Sequence, residues 1–204
     1  METKLGLFLL STAGISLTGI MLPGPLTAAT ISKGYSGKNA GVLIAIGHAV
    51  IEIPLIAAIY FGFGHFIGSP LIVKVIYVVG GMMLVYLGFR MLRTTGTMPG
   101  QASGLPNSSL VTGIVITATN PAFYLWWATV GMALIAGAAT FGLAGVVLFA
   151  LVHWPCDLIW YEFLSMATYK SRKWWTKRTH KAVFSICAFI LMGFGVWFFL
   201  GLFL

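Results

Sequence analysis

The sequence reads VLIAIGHAVIEI at residues 42–53 and VLFALVHWPCDL at residues 147–158. Aligned without gaps, the two segments pair His48 with His153 and Glu52 with Asp157, and most other positions in both are apolar. Residues four positions apart share one face of a helix, so each segment would present a histidine and an acid side by side. The repetition predicts that the chain consists of two related halves.

Composition places these segments in a lipid bilayer. Of 204 residues, 59% are apolar and only 8% are charged, and the mean hydropathy is +0.96. A soluble domain of this length needs more polar surface. A spanning helix needs about 20 mainly apolar residues, and six stretches meet this requirement: residues 5–31, 41–63, 70–92, 109–133, 141–166 and 183–204. We therefore expect an all-α integral membrane protein with six transmembrane helices and no room for a soluble catalytic or DNA-binding domain.

The basic residues are distributed unevenly over the loops. Ten of the 12 lysines and arginines lie in or beside the loops after helices 1, 3 and 5, namely Lys33, Lys38, Arg90, Arg93, Lys170, Arg172, Lys173, Lys177, Arg178 and Lys181. Cytoplasmic loops of membrane proteins carry such an excess. The pattern predicts a multi-pass protein of the cytoplasmic (inner) cell membrane with both termini outside. It also explains the formal charge of +8, so we expect membrane lipid and no nucleic acid as a partner.

A segment rich in Gly, Pro, Ser and Thr, residues 94–108, divides the single membrane domain, residues 1–204, into halves. Residues 1–93 would form one three-helix repeat and residues 109–204 the other. Because each repeat has an odd number of spans, the second enters the bilayer from the opposite face. We therefore predict two inverted repeats, an architecture typical of secondary transporters.

Proline interrupts the first helix of each half, as Pro23-Gly24-Pro25 in helix 1 and as Asn120-Pro121 in helix 4. Proline inside a helix removes a backbone donor and clashes with the preceding turn, so both helices should break there. Each break would start a half-helix whose N–H groups and positive dipole end could bind a carboxylate. Paired broken helices often mark a transport site. We predict that the substrate is bound by Pro23, Gly24, Pro25, Thr27, Asn120 and Pro121.

The two histidine–acid pairs lie deep in helices 2 and 5. An acid at the bilayer centre costs about 2.5–3.5 kcal/mol on insertion scales, so each acid should face a polar cavity or a partner. Three interpretations of His48, Glu52, His153 and Asp157 remain open. They couple transport to protons or bind a substrate ammonium group, they form a metal site, or they make structural hydrogen bonds.

The breaks and the flanking residues resemble the lysine exporter superfamily. The resemblance is carried by Pro23-Gly24-Pro25, then Gly34, Lys38-Asn39-Ala40-Gly41 and Gly47-His48, and by Asn120-Pro121 at the start of the second half. It covers essentially the whole chain. It implies a bacterial or archaeal carrier of the cytoplasmic membrane that exports amino acids or related solutes, commonly in exchange for protons. The superfamily also includes relatives associated with efflux of cadmium, nickel and cobalt.

Together these observations predict a secondary active transporter that exports an amino acid or similar small solute, coupled to protons. The alternative is a divalent metal cation exporter that uses His48, Glu52, His153 and Asp157. We expect no enzyme activity and no cofactor: the chain has no His-Glu-x-x-His motif, and Cys156 and Cys187 both lie in the second half, which disfavours an electron relay. The expected partners are the small-molecule substrate and membrane lipid, and a homo-oligomer is compatible with the sequence.

Overall fold

Helices make up nearly all of the structure. The computed structural model describes residues 2–21, 24–63, 70–94 and 105–201. Their helices are α1 (Glu2–Ile20), α2 (Pro25–Ser36), α3 (Ala40–Ala58), α4 (Pro70–Thr94), α5 (Ser109–Ala118), α6 (Pro121–Trp126), α7 (Met132–Ala139), α8 (Gly142–Ser171) and α9 (Lys177–Leu200). A π-helical stretch follows α3 (Ile59–Phe63), another joins α6 to α7 (Trp127–Gly131), and a 3-10 turn follows α8 (Arg172–Trp174).

Several of these helices can cross a bilayer. Within the described ranges, five stretches are long and apolar enough: Thr3–Ile20, Ala40–Gly62, Pro121–Ala139, Gly142–Trp174 and Lys177–Leu200. Large apolar side chains such as Leu10 and Leu151 point outward and are more than half exposed, as a lipid-facing surface requires. The chain is an all-α integral membrane protein, as its composition predicted.

Both predicted helix breaks are present. Helix α1 ends at Ile20 and α2 begins at Pro25, with Gly24 in an extended conformation before it. Helix α5 ends at Ala118 and α6 begins at Pro121. Proline suits the first position of a helix because its missing N–H would have no intrahelical acceptor there.

Two further prolines do not break their helices. Pro54 lies inside α3 and Pro155 inside α8, and both helices continue past them. The last helix begins at Lys177, six positions before the predicted apolar stretch, because Thr176 Oγ1 caps it by accepting from Thr179 N–H at 3.1 Å. Hydropathy detects only the apolar part of a helix, so it placed this boundary too late.

Helices α3 and α8 pack against each other and are flanked by the broken helices. Helix α5 packs along α3, while α1 and α2 pack along α8; α4 pairs with α9. Each middle helix thus contacts the first half-helix of the other half of the chain. This exchange of partners is compatible with the predicted inverted repeat, which stays a prediction. Of the predicted linker, residues 95–104 lie outside the described residues.

Candidate functional site

The four ionisable residues marked by the sequence meet where α3 contacts α8. His48 Nε2 lies 3.0 Å and His153 Nε2 lies 3.2 Å from the same oxygen, Glu52 Oε1. Both Nε2 atoms lie 3.8 Å from Asp157 Oδ2. Helical spacing sets each acid beside its own histidine, and the packing of α3 on α8 joins the two pairs. We call these four residues the His–acid cluster.

The His–acid cluster is buried, and not all of its carboxylate oxygens accept a hydrogen bond. Glu52 is 2% exposed and Asp157 3% exposed. Within the described part of the chain, Glu52 Oε2 and Asp157 Oδ2 have no hydrogen-bond partner. A buried carboxylate oxygen without a donor is costly, so such atoms usually have a proton, a water or a bound cation beside them. The cluster therefore has the capacity to take up a proton, an ammonium group or a metal ion.

Two hydroxyl groups hold the other nitrogen of each imidazole. Ser16 Oγ lies 2.6 Å from His153 Nδ1, and Thr117 Oγ1 lies 2.9 Å from His48 Nδ1. Each hydroxyl comes from the half of the chain opposite to the histidine that it contacts. A hydroxyl can donate to a neutral ring nitrogen or accept from a protonated one, so these contacts survive a change of protonation state.

These hydroxyl partners carry no signal in the sequence. Ser16 lies 137 positions from His153, and serine and threonine in helices commonly bond to their own backbone. Ser16 Oγ in fact also lies 2.7 Å from the carbonyl oxygen of Thr12. Only the packing of α1 on α8 reveals its second role.

Aromatic rings surround the two histidines differently. Trp126 and Phe149 both stack on the ring of His153, with centroids 5.6 Å away and interplanar angles of 24° and 13°. His48 is met edge-on by Phe123, at 5.3 Å and 76°. Stacked faces fix the plane of the His153 ring and attract a cation through the π quadrupole. The two halves of the cluster are therefore not equivalent.

A cavity of about 480 Å³ lies beside the His–acid cluster, and all four cluster residues line it. Much of the remaining wall is aromatic, formed by Phe123, Trp126, Trp127, Tyr161, Phe194 and Trp197. Cavities that bind small molecules typically measure about 300–1,000 Å³. The size and position suit a small solute that touches the cluster.

The predicted substrate-binding residues divide into those that line the cavity and those that do not. Gly24, Pro25 and Thr27 line it from the first break, and Asn120 lines it from the second. Pro121 is buried against α4, where a Cβ added to Gly80 would lie 3.1 Å from its ring. Its role is to shape the break. Pro23 lies outside the described residues.

Part of the cluster could also hold a metal ion. One side-chain ligand atom from each of His48, Glu52 and Asp157 lies within 4.8 Å of the others. Imidazole nitrogen and carboxylate oxygen are donors that divalent transition metals accept. The metal alternative therefore has geometric support.

Comparison with known protein families identifies the family to which the chain belongs. The family model described as LysE type translocator matches residues 17–201, nearly the whole chain. No curated protein and no solved structure matches the chain. The match includes both helix breaks and the complete His–acid cluster, and by it the chain belongs to the LysE type translocator family.

Proposed function

We propose that this translocator exports an amino acid or a similar zwitterionic solute in exchange for protons. The observation that carries the proposal is that two carboxylate oxygens, Glu52 Oε2 and Asp157 Oδ2, accept no hydrogen bond from the described residues and belong to residues that line the cavity. They offer acceptors to an ammonium group or to a proton. Membership of a translocator family supports transport as the activity.

The carboxylate of a zwitterionic solute fits the first helix break. Gly24 precedes α2 and no side chain caps this helix. First-turn N–H groups of a helix have no intrahelical acceptor, and the helix dipole adds positive potential. Pro25 has no N–H, so a carboxylate in the cavity would accept from the backbone N–H of Leu26, which also lines the cavity.

Exchange follows from competition for the same carboxylates. On the cytoplasmic side, the substrate ammonium displaces the proton that Glu52 and Asp157 share with the imidazoles. On the outer side, a proton displaces the ammonium, and the solute leaves. The imidazoles can relay that proton, because each ring nitrogen can either donate or accept a hydrogen bond. Each ligand needs to favour one of the two conformations for the cycle to run in one direction.

The test is transport by the purified protein in liposomes that contain a pH-sensitive dye. We expect an imposed pH gradient to drive accumulation of an amino acid, and addition of that amino acid without a gradient to move protons in the opposite direction. Solute flux without proton movement would contradict the coupling.

The second candidate function is export of a divalent cation, which the close approach of His48, Glu52 and Asp157 favours. The same liposome assay distinguishes it from amino-acid export. Zinc, manganese and cadmium chloride replace the amino acids as solutes. Proton movement that follows a metal ion and no amino acid would make the metal exporter the better account.

A further inference from the structure

We infer that the solute is a monoamine amino acid with a large apolar or aromatic side chain, and that amino acids with charged side chains are excluded. The inference rests on the proposed function, because it assigns a substrate class to the same cavity. Three observations carry it: the chemistry of the cavity wall, the polar groups with spare capacity, and the distribution of charge.

The cavity wall is mainly aromatic and aliphatic, and some of its rings also contact the two imidazoles. Six aromatic residues line the cavity, and Ile20, Leu26 and Ala122 fill positions between them. Burial of apolar area against such a surface contributes about 25 cal/mol per Å². A large apolar side chain would gain this contribution, whereas a small or polar one would leave the rings exposed to water.

Most polar groups in the wall already have partners. Ser16 and Thr117 contact the imidazoles, and Asn120 Oδ1 accepts from Ala122 N–H at 3.2 Å. Two groups in the wall can bind the charges of an amino acid: the carboxylates of Glu52 and Asp157, and the backbone N–H of Leu26 in the first turn of α2, a helix that no side chain caps. They match one ammonium and one carboxylate, which are the groups common to all amino acids.

No further charge is available for a charged side chain. The whole chain has four acidic residues, so only Glu2 and Glu162 remain outside the cluster. Glu162 Oε2 accepts from Val42 N–H at 3.1 Å, away from the cavity wall. Of the residues that the structure describes, no lysine or arginine lines the cavity. A second cation on the solute would have to share the carboxylates of Glu52 and Asp157 with the α-ammonium group and the two imidazoles. A second anion would have no lysine or arginine of the described wall beside it, and burial of a poorly paired charge is strongly unfavourable.

The experiment measures thermal stabilisation of the wild-type protein in detergent at millimolar concentrations of phenylalanine, leucine, alanine, lysine, glutamate, phenethylamine and manganese chloride. We expect phenylalanine and leucine to stabilise most, alanine less, and lysine and glutamate not at all. Phenethylamine, which lacks the carboxylate, should bind at least about tenfold more weakly than phenylalanine, as the loss of a charge-assisted hydrogen bond predicts.

The outcomes separate this inference from the function on which it rests. Stabilisation by lysine equal to that by phenylalanine would overturn the substrate class and leave amino-acid export intact. Equal binding of phenethylamine would overturn the zwitterion and indicate an apolar amine. Stabilisation by manganese alone would overturn both the inference and the proposed function, as would no stabilisation by any amino acid.

A pair of variants on α9 tests the aromatic wall. Phe194 lines the cavity, whereas Phe189 lies on the same helix, is 60% exposed and does not line it. We expect Phe194→Ala to weaken phenylalanine binding about tenfold with a much smaller effect on alanine, and Phe189→Ala to change neither. Phe194→Leu serves as the milder variant if the alanine variant is unstable. Equal loss for alanine and phenylalanine would contradict a role of this ring in side-chain recognition.

Discussion

Glu52 Oε1 is the atom that joins the two halves of the His–acid cluster, since both imidazole Nε2 atoms reach it. A glutamine at this position has the same shape but no charge, and it cannot release a proton. We expect Glu52→Gln to lower proton-coupled solute flux roughly 10- to 100-fold, because a hydrogen bond to a charged group contributes about 1.5–3 kcal/mol. Flux of the variant in liposomes, measured with and without a pH gradient, checks this.

The matched control is Glu162→Gln. Glu162 also lies in a membrane helix, but its carboxylate accepts from the backbone N–H of Val42 and does not line the cavity. We expect this variant to keep its response to the pH gradient. Equal loss in both variants, or full coupling in Glu52→Gln, would contradict the assignment of the proton site to Glu52.

Ser16 is one of the residues that the structure adds to the site. Ser16→Ala leaves His153 Nδ1 without its hydroxyl partner at a position that is 2% exposed. An unsatisfied buried polar group costs about 1–3 kcal/mol, so we expect a lower midpoint of thermal unfolding and weaker solute binding. Ser11→Ala is the control, because Ser11 lies on the same helix, is exposed and donates to the carbonyl of Leu7 within its own helix. Equal destabilisation of the two variants would contradict a specific contribution of the contact between Ser16 and His153.

Among the helices, α3 and α8 approach each other closely at Gly41. A Cβ added to Gly41 would lie 2.6 Å from Glu162 Cα and closer still to the carbonyl of Tyr161. The two helices would have to separate, and they carry the two halves of the His–acid cluster. We expect Gly41→Ala to lower stability by about 1–3 kcal/mol, the usual cost of overpacking, and to weaken solute binding.

Gly193 on α9 provides the comparison, since a Cβ there would meet nothing within 4 Å. Gly193→Ala should leave both the unfolding midpoint and solute binding close to those of the wild type. Both variants are measured by thermal unfolding in detergent with and without solute. A Gly41→Ala protein as stable as Gly193→Ala would show that the contact between α3 and α8 can adjust.

The second helix break depends on one side chain. Asn120 Oδ1 accepts from the N–H of Ala122 in the first turn of α6. Without this bond that N–H would have no acceptor within the helix. Loss of such a cap costs about 0.5–2 kcal/mol, so Asn120→Ala should unfold at a lower temperature. Asn120→Ser should recover much of the loss, because serine is also a good N-cap. An alanine variant as stable as the serine variant would show that water or another group caps α6.

The helix breaks could be predicted from sequence because the residue before each proline is also unsuited to a helix interior. Glycine precedes Pro25 and asparagine precedes Pro121, and both favour the cap position. Ile53 and Trp154 precede the two prolines that the helices accommodate. Proline alone therefore does not distinguish a break from an uninterrupted helix; the residue before it adds that information.

At the scale of the molecule, the sequence predicted which residues form the cluster but not what surrounds it. Insertion of an ionisable side chain into a bilayer costs free energy, so such residues are rare there. This rarity alone was enough to mark His48, Glu52, His153 and Asp157. Phe149 did not stand out, because aromatic residues are frequent in this chain, 14% of the total, and most pack against helices or lipid. Contacts between the halves depend on tertiary packing, which no local pattern encodes.

The basic loops predict the orientation of the whole molecule in the membrane. Phe194 and Trp197, in the last turns of α9, line the cavity, whereas no residue of the basic segment 170–181 does. With the basic loops cytoplasmic, Phe194 and Trp197 lie toward the outer end of α9. The positive-inside pattern predicts that orientation.

Cysteine labelling of intact cells checks it. The native Cys156 and Cys187 are both buried, so the background from them should be low. Ser36 at the end of α2 and Thr140 between α7 and α8 are exposed and lie at opposite ends of the helices. A membrane-impermeant maleimide should label a Thr140→Cys protein on intact cells and a Ser36→Cys protein only after permeabilisation. The reverse result would place the termini inside and contradict the orientation that the basic loops predict.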